Sequence, residues 1–239
     1  MNTERKDNIT IVTGYWPVHN KNKHSDYCKW FENTLKVNQR MYFFGDPSTK
    51  DIIMPFRENM ETIFVEHPIK KFYSNNFYSK FWTHRFYIPT IDLGKIWQEK
   101  INLIKLAKDM DGENATEFYV WYDAAACLFR NEPPPSIRLN LKNVNSLPHD
   151  KIIYSTPYPF NANYSYATTI HIVPKGLIDD LHILYYRCLQ KFASSKPKEW
   201  LYANDQLIFT ELLKNYPSLF YKIATGYGEN ITILYKKFV

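Results

Sequence analysis

Asp123 follows the apolar run Phe118-Tyr-Val-Trp-Tyr122 and is followed at once by Ala124-Ala-Ala126. A carboxylate at the end of a central strand, with small residues cleared around it, is placed to meet a ligand. In open α/β sheets the binding crevice lies beyond the carboxyl ends of the strands. The plainer reading is a cap for the turn that follows. Lys100 sits at the centre of the helical stripe made by Leu93, Ile96, Trp97, Leu103, Ile104 and Ala107. An ammonium there either snorkels along its stem to the helix edge or reaches a carboxylate or phosphate over the sheet edge. Asp205 lies in the first turn of a helix that Asn204 can cap. It serves either the helix dipole or the same site as Asp123.

The elements that must position these groups are legible in outline. Ile9 to Thr13, Arg40 to Phe44 and Thr62 to Val65 read as β-branched or aromatic strands, separated by helical segments at Ser25–Val37 and Ser48–Phe56. This alternation predicts a parallel sheet with right-handed crossovers. A helix over Leu93–Ala107 then leads into the strand ending at Asp123. Further strands are expected at Lys151–Thr156, Ala167–Val173 and Ile231–Tyr235, and further helices at Gly176–Phe192 and from Asn204 to Tyr216. Two stretches break the pattern. Pro68 to Pro89 packs eight aromatic rings among Lys70, Lys71, Lys80, His84 and Arg85, and serves either as an anchored crossover or as a cleft wall for stacking. The region from Pro133 to Asp150 reads as a surface loop or lid. His171 shares a strand face with Thr169 and Val173, where a structural histidine is expected.

Composition narrows the class. The chain has 239 residues with ordinary hydrophobic and charged fractions, which fits a single globular domain and excludes disordered and fibrous classes. Aromatic residues reach 17% against only seven glycines, enough for a bulky core with rings to spare for a cleft. The net charge of +6 favours an anionic partner, but its lysines and arginines are scattered, so nucleic acid is not the expected ligand. Cys28, Cys127 and Cys188 lack metal-ligand spacing and are expected as buried reduced thiols. Polar residues at the start and the lack of a long apolar run point to a cytoplasmic protein, or one packaged from cytoplasm, without a membrane span. There is no P-loop, no G-x-G-x-x-G, no H-E-x-x-H and no G-x-S-x-G.

What remains is Thr13-Gly14-Tyr15 at the end of the first strand, Lys100, Asp123 and Asp205. A polar turn with an aromatic ring suits a nucleoside, a cation suits a diphosphate, and carboxylates suit a metal or an acceptor. The segments Ile9-Thr-Ile-Val-Thr-Gly14, Ile96-Trp-Gln-Glu-Lys100-Ile-Asn-Leu-Ile104 and Tyr119-Val-Trp-Tyr-Asp123-Ala-Ala-Ala126 follow in the order seen in the HtrL/YibB-type family of glycosyltransferases. Asn204-Asp-Gln206-Leu-Ile-Phe, Tyr216-Pro-Ser-Leu-Phe220 and Gly226-Tyr-Gly228 resemble its downstream elements. That family in turn resembles GT-A enzymes, including ones with which large DNA viruses glycosylate their own capsid proteins or fibres.

The resemblance implies an α/β, GT-A-like single domain over residues 1–239, with a Rossmann-like, mostly parallel sheet flanked by helices. Residues 1–123 would form the nucleotide-binding half and 124–239 the acceptor-binding half. It implies transfer of a hexose from a UDP- or GDP-sugar to a hydroxyl on glycan, lipid or protein. Thr13, Gly14 and Tyr15 would meet the nucleoside, and Lys100 and Asp123 the diphosphate or its metal. Asp205 would act as base in an inverting reaction, or as stabiliser of the cationic sugar in a retaining one. GT-A enzymes hold Mn²⁺ or Mg²⁺ with an acid-x-acid motif, of which only Asp123 is matched; Ala125 stands at the second acid. Either Asp123 holds the metal with another acid or waters, or cations such as Lys100 and Arg85 neutralise the diphosphate instead. The competing reading is a non-catalytic glycan- or nucleic-acid-binding protein.

Overall fold

A computed structural model describes residues 8–20, 22–77, 90–160, 164–195 and 204–236. Strand β1 (Ile9–Tyr15), helix α1 (His24–Thr34), β2 (Met41–Gly45), α2 (Pro47–Ile53) and β3 (Thr62–Glu66) come first. Helix α3 (Ile91–Asp111), β4 (Phe118–Tyr122), α4 (Leu141–Asn145), β5 (Ile152–Thr156) and β6 (Ala167–Pro174) follow. Helices α5 (Ile178–Ser195) and α6 (Asp205–Asn215), β7 (Phe220–Thr225) and α7 (Glu229–Tyr235) complete the chain. The strands form one seven-stranded sheet in the order β3-β2-β1-β4-β6-β5-β7. The first four strands in that order run parallel, β6 runs antiparallel to both β4 and β5, and β7 runs parallel to β5. The expected α/β sheet is present, and its reversal at β6 is what makes it mixed.

Both faces of the central strands are covered, which is why β1, β2 and β4 read as nearly continuous apolar runs instead of alternating ones. Val12, Tyr119 and Trp121 point to the layer built by Ile101, Leu103 and Ile104 of α3, with Tyr185 of α5 and Phe209 of α6. Ile11, Val120 and Tyr122 point to the other layer, with Phe31 of α1, Val144 of α4 and Leu234 of α7. Among the described residues no helix is long and apolar enough to cross a membrane.

Three expectations change. Residues 231–235 are helix, because Ile231, Leu234 and Tyr235 bury at helical spacing after a turn in which Gly226 and Gly228 take φ of 126° and 114°. The last strand is Phe220–Thr225, an exposed edge with little apolar patterning. Residues 133–150 are no lid: Leu139, Val144 and Leu147 are buried, and the Asn143 amide donates to the carbonyls of Ile233 and Lys236 at 3.0 and 2.5 Å, tying α4 to the end of α7. The cysteines are free thiols, but Cys127 is exposed and the other two are half-buried.

Buried charge fixes the frame. At the amino ends of the strands, Asp111 accepts two hydrogen bonds from Arg40 (2.6 and 2.9 Å) and one each from the Tyr42 and Tyr119 hydroxyls (both 2.6 Å). Burial alone would raise its pKa, but these donors outweigh it and hold the carboxyl below the usual range. Arg57, 1% exposed, donates to the carbonyls of Leu35, Val37, Gln39 and Glu61, stapling the loop after α1 to the approach of β3. A group with a depressed folded pKa contributes stability above its unfolded pKa and loses it as pH falls through the folded one. Asp111→Asn is therefore expected to cost about 3 kcal/mol at neutral pH, with the two proteins converging only as pH falls below the ordinary carboxylate range. Urea unfolding at neutral pH and through the acid range checks this, and a gap that does not narrow in acid would contradict the assignment.

Candidate active site

At the carboxyl ends of the parallel strands a cleft with a cavity volume of about 120 Å³ opens to solvent. Gly14, Tyr15 and Trp16 form one wall, Trp97 and Lys100 another, and Asp123 to Ala125 with Arg130 the floor and rim. Gly14 is there because nothing larger fits: a Cβ would lie 2.6 Å from the Trp16 indole and 2.9 Å from the Phe44 carbonyl oxygen. That indole is fixed by donating to the His67 carbonyl at 2.9 Å and by edge contact with Phe72. Tyr15 packs against Phe31 while its hydroxyl pairs with His24 Nδ1 at 2.6 Å.

Lys100 answers the question its position posed. It is 4% exposed, and its ammonium lies 2.7 Å from Asp205 Oδ2 and 3.1 Å from Asp123 Oδ1, with the Thr168 carbonyl at 3.3 Å. It does not snorkel; all three of its N–H donors are matched by these acceptors. Burial would lower its pKa, and the two carboxylates reverse that into a net rise. Asp123 is raised by burial first, with Lys100 opposing and Asp205 adding to the rise. Trp121, two residues earlier on the same side of the strand, donates its indole N–H to Asp123 Oδ1 at 2.6 Å. The side chain of Asp123 is 37% exposed to the cleft, whereas that of Asp205 is 5% exposed.

The structure thus brings Gly14, Tyr15, Lys100 and Asp123 to one cleft, with Asp205 beneath it. Asp205 does not line the cleft, because one oxygen faces Lys100 and the other accepts the Gln206 N–H at 3.0 Å. Thr13 is fully buried and points away. Arg85 lies outside the described residues. His171 is buried between Tyr166 and Phe209, held neutral by burial and by the charge of Lys100, and takes the structural role expected. Of the aromatic stretch, residues 69–77 are an anchored crossover: the buried Glu99 carboxylate accepts the N–H groups of Tyr73 and Ser74, both at 2.9 Å. Trp16, Tyr27 and Arg130 also line the cleft, though their sequence positions do not announce it. Arg130 had one signal, a lone arginine in an apolar stretch seven residues past the acid.

The residues present do not fit a protein-held Mn²⁺ or Mg²⁺. Such ions take several oxygen ligands. Asp123 is the one carboxylate among the described residues that line the cleft, and its Oδ1 already serves Trp121 and Lys100. The space between Asp123 and Asp205 holds an ammonium, Ala125 has no side-chain donor, and no group of three acidic, histidine or cysteine ligands occurs among the described residues.

The fold is that of GT-A glycosyltransferases. Mouse xyloside xylosyltransferase 1 superposes with a TM-score of 0.53 at 11% identity, covering 90% of this chain and 84% of that one. The galactosyltransferase LgtC, solved with donor and acceptor sugar analogues, gives 0.48 at 11% identity over 85% of this chain and 70% of that one. The PaToxG glycosyltransferase gives 0.44 at 14% identity over 89% and 70%. No protein-family model matches the chain, and no curated protein matches its sequence.

Removing Lys100 leaves two buried carboxylates facing each other. Lys100→Met is expected to cost about 3–5 kcal/mol, and adding Asp205→Asn to restore more than half of that. Since the folded pKa of Lys100 is raised, its contribution is complete at neutral pH and is lost only as pH rises through the alkaline range. Urea unfolding of the single and double variants checks the bridge; a single-variant cost below about 1 kcal/mol would contradict it.

Proposed function

We propose that this cleft transfers a hexose from a UDP- or GDP-sugar to a hydroxyl on a glycan, lipid or protein. The observation that carries the reading is Asp123, a carboxylate held from below by Lys100 and Trp121 and open on its other side to a cleft at the strand ends of a GT-A fold. The ordered segments around Gly14, Lys100, Asp123 and Asp205 support membership of the HtrL/YibB-type family. On this reading residues 1–123 supply the donor half and 124–239 most of the acceptor half.

The donor's nucleoside lies against the wall of Gly14, Tyr15 and Trp16, where aromatic surface and a bare backbone allow close approach. Transfer breaks the bond between the anomeric carbon and the diphosphate oxygen and forms one to the acceptor oxygen. The acceptor proton must leave onto a base, and the nucleoside diphosphate departs with the bonding pair. Asp123 is the carboxylate placed to take that proton, and its raised pKa moves it towards the range where a base works best near neutral pH. Asp205 acts through Lys100 as a positioning residue. No step is assigned to a metal held by the protein.

Asp123→Asn keeps the shape and removes the base. It is expected to lower donor turnover by at least about 10²-fold while nucleotide affinity changes little. In the wild type, the acid limb of the rate profile should lie above the usual carboxylate range. Release of UDP or GDP from a panel of nucleotide sugars, followed with and without acceptor, provides the readout. Turnover within threefold of wild type would remove Asp123 from the chemistry.

A further inference from the structure

The cleft needs positive charge for a diphosphate, and its obvious cation cannot give it. Lys100 has all three N–H groups engaged, and with both acids ionised its cluster is net negative. Arg130 differs. Its Nε–H donates to the Ala125 carbonyl at 2.9 Å, and its guanidinium carbon lies 3.8 Å from the centre of the Trp30 ring. These two contacts fix the plane and direction of the fork. Neither terminal nitrogen has a hydrogen-bond partner among the described residues, and no carboxylate among them pairs with the group.

An arginine held by its Nε and stacked on one face, with two free N–H₂ groups at a cleft, is organised for an oxyanion before any arrives. Its position is telling. Ala125, which offers no side chain to a metal, uses its backbone carbonyl to aim this guanidinium. We infer, on the donor reading given above, that Arg130 is the diphosphate ligand of the cleft and does electrostatically what a metal-bound acid would otherwise do. Nucleoside diphosphates then bind without a divalent cation. Lysine is a poor substitute, because it keeps the charge and loses the fork and the stacked face.

Calorimetric titration of UDP and of GDP into the full-length protein, in EDTA and then in Mn²⁺, tests this. One of the two is expected to bind in EDTA, with an affinity that Mn²⁺ changes by less than about threefold. Arg130→Met should weaken it on the order of tenfold or more, and Arg130→Lys by less, with uridine or guanosine binding unchanged. Because the stack on Trp30 also supports α1, a second measurement uses no variant. Phenylglyoxal modification of Arg130 in EDTA, located by mass spectrometry, should be suppressed by the nucleoside diphosphate and by inorganic pyrophosphate. Binding only with Mn²⁺, an affinity indifferent to both variants, or modification of Arg130 unaffected by ligand overturns the inference and leaves the donor reading standing. If neither nucleotide binds in either buffer, the donor reading falls with it.

Discussion

A lysine ammonium buried at the carboxyl end of the central strand β4, between two carboxylates that lie 82 positions apart in the chain, ties α3, β4 and α6 together. Each of the three charges would be costly alone in that setting, and each is tolerable only because the other two are within hydrogen-bonding distance. The pair of contacts joins α3 to the end of β4 and to the first turn of α6. The third N–H of Lys100, on the Thr168 carbonyl, adds β6 to the same junction. The antiparallel turn of the sheet at β6 and the docking of α6 are therefore fixed at the point where Asp123 meets the cleft.

The arrangement separates structural charge from charge available to a ligand. At the amino ends of the strands, Asp111 is saturated by Arg40 and two tyrosines, and Arg57 by backbone carbonyls. Glu99 is spent on the turn at Tyr73 and Ser74. At the carboxyl ends Lys100 and Asp205 neutralise one another within the frame. Among the described residues that line the cleft, the charged groups with a face left open are Asp123 and the guanidinium fork of Arg130, which on the proposed reading serve as base and anion site. Aromatic walls around them lower the local dielectric and strengthen whatever those two groups do.

Much of this was legible in the sequence. The parallel strands announce themselves as apolar runs because both faces are covered, and Lys100 stood out because a charge at the centre of an apolar helix face needs a partner. That the partners are Asp123 and Asp205 was not readable, since pairing Lys100 with a residue 105 positions later depends on how α6 docks. For the same reason Asp205 read as serving either the helix dipole or the site, and its burial against Lys100 was not foreseen. Residues 231–235 look like strand because they are β-branched and aromatic, and only the positive-φ glycines before them and the layer they pack on make them helix. Arg130 left only the faint signal of a lone arginine after an apolar stretch, because its orientation comes from the Ala125 carbonyl and the Trp30 ring of α1, neither of which leaves a pattern in the sequence.

On the proposed reading a nucleoside diphosphate occupies the cleft over Asp123. Amide hydrogen exchange of the full chain, with and without saturating UDP or GDP, locates the bound nucleotide independently of turnover. Slowed exchange is expected in two stretches, 14–20 and 123–130, with α3 near Lys100 changing less because its hydrogen bonds are already buried. Protection confined to other surfaces, or no protection with either nucleotide, would contradict that reading.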